Sequence, residues 1–291
     1  MSAWRSAGAR LRLYLQLVRL DRPIGISLLL WPTLAALWIA AGGWPGTTLL
    51  LVFLAGTVLT RSAGCAVNDF ADRHFDGRVE RTSGRVLARG LIRPSEAIAV
   101  ALVLGAASAL TLFWLNAPAT RLAFVGAAVA VAYPYFKRFF PLPQAWLGIA
   151  FSFGIPMAFA AVRGETGATA WALFAANLFW VMAYDTEYAM VDRRDDLALG
   201  IRSSAILFGR ADVAAVALSY AIYLGGLGAV MAREGAGWPF ACGWIAAAIL
   251  AARHIVWIRG RDPAQCLRAF RDNHWLGMAL FAGIVADYAL G

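Results

Sequence analysis

The sequence predicts an all-α integral membrane protein, nine transmembrane helices in a single domain over residues 1–291, with the N-terminus in the cytoplasm. Three observations carry that expectation. The composition is 61% hydrophobic and 15% charged, with a mean hydropathy of +0.65, which is more apolar than a water-soluble domain of this length tolerates. Apolar runs long enough to cross a hydrocarbon core of about 30 Å recur along the chain, and none shows the alternation of a membrane β-strand. The 26 Lys and Arg lie almost entirely in every second connection between those runs.

The chain opens on a cationic leader, residues 1–23, with Arg5, Arg10, Arg12, Arg19 and Arg22. Leu11, Tyr14, Leu15 and Val18 share one helical side, which predicts an amphipathic helix on the membrane surface. No cleavable signal peptide is expected. An arginine-rich, acid-poor start also resembles a transit peptide, so the mitochondrial inner membrane is the alternative to a bacterial inner membrane.

The apolar runs fall at 24–41, 47–67, 96–115, 119–135, 145–162, 169–190, 212–231, 238–256 and 274–290. Gly42-Gly43-Trp44-Pro45-Gly46 and Asn116-Ala117-Pro118 read as tight turns. Assigning the connections alternately to two sides places 23 of the 26 cations on one side and only Arg121, Arg163 and Arg233 on the other. Cation-rich loops stay in the cytoplasm, and an odd number of crossings sends the C-terminus outside. The longer loops, after the second and sixth helices, share the cytoplasmic side, so function is expected there. The net charge of +9 is thereby a topology signal and not a nucleic-acid face. Cys65, Cys242 and Cys266 are odd in number and lack CxxC spacing, which argues against a disulfide framework or a thiolate metal site.

Two acidic clusters carry the chemistry. Asn68, Asp69, Asp72 and Asp76 leave the second helix; if that helix continues, Asn68, Asp72 and Asp76 stand four apart on one face. Asp185, Asp192 and Asp196, spaced by seven and four, make a second stripe at the end of the sixth. Neighbouring carboxylates repel and are costly beside hydrocarbon, so they call for a cation. Oxygen donors without cysteine suit Mg²⁺ or Mn²⁺, and Mg²⁺ typically joins a few carboxylates to substrate phosphates. Arg73, Arg81, Arg85, Lys137, Arg138 and Arg202 can hold the same phosphate oxygens. Solvated salt bridges explain one aspartate at a helix end, but not two spaced clusters at equivalent ends of two helices. Arg61, seven residues before Asn68 and on its face, either points into the site or snorkels or pairs with an aspartate. His74 has no partner at metal-ligand spacing, so a histidine site is not expected.

At these residues the sequence resembles the UbiA-type membrane prenyltransferases, whose signatures NDxxDxxxD and DxxxxxxDxxxD are both met without a gap. Arg22-Pro23-Ile24-Gly25, Leu30-Trp31-Pro32-Thr33, Arg61-Ser62-Ala63-Gly64-Cys65 and Tyr188-Ala189-Met190-Val191-Asp192 are similar to the branch whose acceptor is 4-hydroxybenzoate. The resemblance implies helices around a central cavity with lateral access for a lipid tail. It implies Mg²⁺-dependent transfer from a polyprenyl diphosphate to C3 of 4-hydroxybenzoate, by ionisation of the allylic C1–O bond and attack by the ring. Asn68, Asp72 and Asp76 match its first metal motif and Asp185, Asp192 and Asp196 its second. Lys137 and Arg138 match its basic stretch near the diphosphate, and Arg61 a position linked to the aromatic acid. Asp72 and Asp192 are the expected catalytic residues, Asp192 also taking the ring proton. The chain departs from the family at Arg85-Val86-Leu87, at Arg89-Gly90 and at Glu187, none of them a metal-motif position. Other acceptors (homogentisate, a naphthoate, haem, a chlorophyllide) and a cation-coupled transporter are the competing readings. Membrane lipid is the expected surrounding, with no nucleic acid and no obligate protein partner.

Overall fold

Hydrocarbon offers a backbone no water to bond, so each crossing segment must satisfy its own amides as a helix. The computed structural model describes residues 2–136 and 138–291, with side chains from residue 8 onward, and the described residues contain helices and turns but no strand. The helices are α1 (Ser2–Leu17), α2 (Ile24–Ala41), α3 (Thr47–Asp72), α4 (Pro94–Thr111), α5 (Ala117–Phe136), α6 (Pro143–Ser152), α7 (Gly154–Arg163), α8 (Ala168–Leu199), α9 (Ser204–Phe208), α10 (Asp212–Arg233), α11 (Trp238–Ile258) and α12 (Pro263–Leu290).

Seven helical segments are long and apolar enough to cross a membrane by length and composition: α2, α3, α4 with the turn that follows it, α5, α6 with α7, α9 with α10, and α11. The expected count was nine. The two segments outside the seven are α8 and α12, of 32 and 28 residues, which carry several charged side chains each. The fifth expected span is two helices, because Pro156 has no amide to give Ser152 and its ring crowds that carbonyl, so α6 stops there and α7 restarts.

The core lies among α2, α7, α8, α10 and α12, where Leu37, Phe159, Trp180, Met231, Leu276 and Ile284 are fully buried. At the rim, α4 buries only Ala97 and exposes Leu102, Val103 and Leu110, as a helix apolar on every side does in lipid. The leader forms α1, but its packed side differs from the expected one. Leu17 and Val18 are buried and Tyr14 partly so, whereas Leu11 and Leu15 are exposed at 58% and 37%. Leu17 and Tyr14 pack in one cluster with Ala66, Val86 and Leu87 of α3 and its following loop, a partner that helical phase alone does not name.

Contacts sort the connections into two ends. At one, Arg163 donates to the carbonyls of Ala40 and Ile39, Asn116 to that of Ala160, and Asp287 accepts from Gly237 N–H. At the other, Arg81 meets Asp192, Arg138 meets the Ala71 carbonyl, Arg202 the Phe139 carbonyl, and Arg261 Asp212. The cation-rich loops thus gather at one end of the bundle.

Candidate active site

At the cationic end a cavity of about 1790 Å³ opens between α2, α3, α5 and α8. Its mouth is polar, with Asn68, Asp72, Asp76, Asp192 and Asp196 on the wall and Asp185 deeper along α8. Its depth is apolar, reaching Val52, Phe53, Leu112 and Phe124 toward the opposite end.

The first acidic stripe holds for only two of its three members. α3 carries Asn68 and Asp72 but ends there; Phe75 N–H bonds Asp72 O at 2.8 Å, and a 3₁₀ turn Asp76–Arg78 follows. Asp76 therefore returns to the site from a turn, not from the same helix face. Arg85 donates to both its oxygens at 2.9 and 2.8 Å and reaches Asp69 at 3.1 Å. Asp69, fully buried, also accepts from Arg19 at 2.8 and 3.1 Å. Burial raises the Asp76 carboxyl above its ordinary pKa, Arg85 pulls it back, and Asp69 and Asp72 push it up again. On Arg85 itself burial opposes the charge, but Asp69 and Asp76 outweigh it and hold the guanidinium protonated above its usual value.

The second stripe is intact because α8 runs unbroken to Leu199, where Gly200 at φ 67° caps it in the left-handed region that an L side chain avoids. Arg81 grips Asp192 through Nε to Oδ1 at 2.9 Å and Nη2 to Oδ2 at 2.5 Å, a bidentate pair. The same guanidinium donates to the Tyr188 hydroxyl and lies 4.1 Å from that ring's centre. Glu80 N–H bonds Asp195 at 2.9 Å. These contacts fasten the loop after α3 onto α8, bringing the two clusters to one cavity.

Of the expected anion-binding cations, Arg81, Arg85, Arg138 and Arg202 line the cavity. Arg73 does not: it folds back on its own helix, donating to Phe70 O at 2.7 Å and covering the Phe70 ring at 4.3 Å. Lys137 lies outside the described residues. Arg61 enters the cavity wall with its guanidinium 5.4 Å from the Phe151 ring centre, and its Nε is buried without a hydrogen-bond partner among the described residues. Gly25 makes room for it, since a Cβ there would stand 2.6 Å from Nη2.

Among the described residues no three acidic, histidine or cysteine side chains converge into a ready-made metal cage. The donor set still fits a hard divalent cation of the kind that takes one or two carboxylates and completes its shell with phosphate and water. All the candidate donors are oxygens, and the mutual repulsion felt at Asp76 is what such a cation relieves. His74 is exposed and off the cavity wall.

Spacing did not point to Asp69 with Arg19, to Tyr188 as a partner of Arg81, or to a buried polar group behind α8. There Glu187 accepts from Tyr220 O–H and Asn273 Nδ2, each at 2.9 Å, and Asn273 accepts from Trp180 Nε1 at 2.8 Å. Two residues beyond Asp185 on a helix is about 200° of rotation, so Glu187 faces away from the cavity and ties α8 to α10 and α12. Its one readable signal was an acid inside an apolar run.

Lipid-facing helices around a deep cavity, walled at its mouth by aspartates and arginines, define an integral membrane protein with a site for a charged group and an apolar tail. The model of the UbiA prenyltransferase family matches residues 29–281, and the chain belongs to that family. Curated relatives from Cupriavidus metallidurans and Burkholderia mallei, both named 4-hydroxybenzoate octaprenyltransferase, are 55% identical over 282 residues, covering 97% of this chain and 96% and 98% of theirs. Among solved structures, the apo structure of a UbiA homolog from Aeropyrum pernix has a TM-score of 0.80 at 24% identity, over 90% of this chain and 97% of that one. A UbiA homolog from Archaeoglobus fulgidus bound to GPP and Mg²⁺ has a TM-score of 0.67 at 17% identity, over 94% and 99%. Both share this fold.

Proposed function

We propose that the protein transfers a polyprenyl group from a polyprenyl diphosphate to C3 of 4-hydroxybenzoate, a step of ubiquinone biosynthesis, with Mg²⁺ as its metal. The observation that carries the reading is the cavity itself, acids and arginines at the mouth and an apolar depth, in a chain 55% identical to enzymes of that name. Asn68, Asp72, Asp76, Asp185, Asp192 and Asp196 would hold the metal, which supplies charge neutralisation to the diphosphate as leaving group. Arg81, Arg85, Arg138 and Arg202 offer guanidinium donors to the same oxygens. The apolar depth takes the prenyl tail and keeps water from the allylic cation, and the rings of Phe151 and Tyr188 can face that cation. Arg61 holds the acceptor's carboxylate, which orients the ring so that the carbon beside its hydroxyl meets the cation. Asp192 then accepts the ring proton.

α8 and α12 complete nine crossings, since each is packed against apolar crossing helices and exceeds the length a bilayer needs. The 23-to-3 bias of cations supports a cytoplasmic acid-lined mouth and N-terminus, and the bacterial relatives support an inner membrane. Residues 1–291 act as one domain.

Purified protein in nanodiscs, given Mg²⁺, geranyl diphosphate and 4-hydroxybenzoate, is expected to release diphosphate and yield the 3-geranyl acid by mass spectrometry. Product with homogentisate or a naphthoate but none with 4-hydroxybenzoate would overturn the acceptor. Arg61→Ala is expected to raise KM for 4-hydroxybenzoate about 10- to 100-fold, the worth of a hydrogen bond to a charged group, with KM for the prenyl donor little changed. Equal effects on both would move Arg61 to the diphosphate.

A further inference from the structure

Three residues on the cavity wall, Arg61, Tyr184 and Ser203, each have a buried polar atom without a hydrogen-bond partner among the described residues, and the first two stand on the facing helices α3 and α8. Tyr184 is 1% exposed, yet its hydroxyl is buried with no hydrogen bond among the described residues, as is Nε of Arg61, and both residues line the cavity. They sit at one depth. Arg61 is seven residues before Asn68 on α3, Tyr184 is eight before Asp192 on α8, and both helices run toward the cationic end. At 1.5 Å per residue they lie about 10–12 Å below Asn68 and Asp192 respectively, at the level of Asp185.

Both side chains are also held in place. The Tyr184 ring stands edge-on to Trp180, with centroids 5.5 Å apart, and to Phe270 at 6.2 Å. Arg61 lies between Gly25, which has no Cβ to displace it, and the Phe151 ring. Packing that fixes a tyrosine while leaving its hydroxyl unpaired is the arrangement a phenylalanine would serve better, unless something else enters to meet that hydroxyl.

We propose that Tyr184 is an acceptor-binding residue whose hydroxyl donates a hydrogen bond to the carboxylate of the aromatic acid that Arg61 neutralises. This rests on the acceptor reading given above and adds a second contact to it. A cation and a neutral O–H donor at one depth suit a pair of anionic oxygens. With the carboxylate held there, the phenol end of the acid points up toward the aspartates. A donor built for an anion also rejects aromatic compounds without one, because it is then left unpaired.

The test is Tyr184→Phe, which keeps the ring and removes an unpaired group. In the unliganded protein its melting temperature is expected to be unchanged or raised. Calorimetry in nanodiscs, without prenyl donor, is expected to show about ten-fold weaker binding of 4-hydroxybenzoate and of benzoate, with phenol binding unchanged. KM for the prenyl diphosphate is expected to stay as in the wild type. Benzoate binding that is indifferent to the substitution overturns the proposal, as does a loss confined to phenol. A lowered melting temperature with equal weakening of all three ligands assigns a structural role and also overturns it. If the wild type itself binds neither acid while still releasing diphosphate from the donor, the acceptor reading fails and takes this proposal with it. Intact wild-type binding with an indifferent variant sinks the Tyr184 assignment alone.

Discussion

Asp72→Ala and Asp192→Ala are each expected to lower Mg²⁺-dependent diphosphate release by about 10³-fold or more, with the protein still inserted in the membrane. The two residues come from different walls of the cavity, so the losses test both halves of the site. For Asp192 the structure adds a second cost. Its carboxylate anchors Arg81, which also meets Tyr188, and without it that guanidinium loses the bidentate pair that positions it. Asp192→Asn keeps the volume and one acceptor oxygen but not the charge, and is expected to be nearly as inactive. Phosphate-coupled detection of released diphosphate measures all three. Turnover above about a tenth of wild type in either alanine variant would remove that residue from the metal site.

Arg85→Ala is expected to be the most destabilising single change at the site. Arg85 bridges Asp69, which is fully buried, and Asp76, which is nearly so. Removing one partner of a buried ion pair costs about 3–5 kcal/mol, because the carboxylates left behind are neither solvated nor neutralised. Arg19 still meets Asp69, but Asp76 loses the partner that binds both its oxygens. The expected readouts are a melting temperature lower by roughly 10 °C and faster proteolysis of the loop at 73–93. Arg85→Lys retains one charge without the bridge and should fall between. A melting temperature equal to wild type would show that the loop is held elsewhere.

The helical architecture was legible because lipid reduces the pattern to the length of an apolar run, and the run at 24–41 coincides with α2. Both acidic clusters were legible for the same reason that α8 is continuous: helical spacing converts sequence distance into direction. Where the helix stops, the inference stops with it. Asp76 was placed on the α3 stripe, but the chain turns after Asp72, and no residue there announces a stop as Gly200 does for α8. Arg73 and Arg81 looked alike in sequence. One folds onto Phe70 and the other crosses to Asp192, 111 residues away, because pairing across the cavity depends on the fold and not on spacing. Nothing in the spacing singles out Tyr184, since an unpaired hydroxyl exists only once the neighbours are in place.

α8 has a further consequence. At 32 residues it spans about 48 Å without a break, so the Asp185 level in the core and the Asp196 level at the mouth belong to one rod. The opposing carboxylate Asp76 hangs from a turn beyond the end of α3, stitched by arginines. The site is thus an anvil facing a hinged hammer. Adding one residue between Asp185 and Asp192 would swing the distal acids about 100° out of line, whereas adding one to the exposed part of the 73–93 loop leaves the rod's alignment untouched. Evolutionary latitude in how the substrate's head is grasped should therefore accumulate on the hammer side, while the anvil stays the fixed reference of the fold.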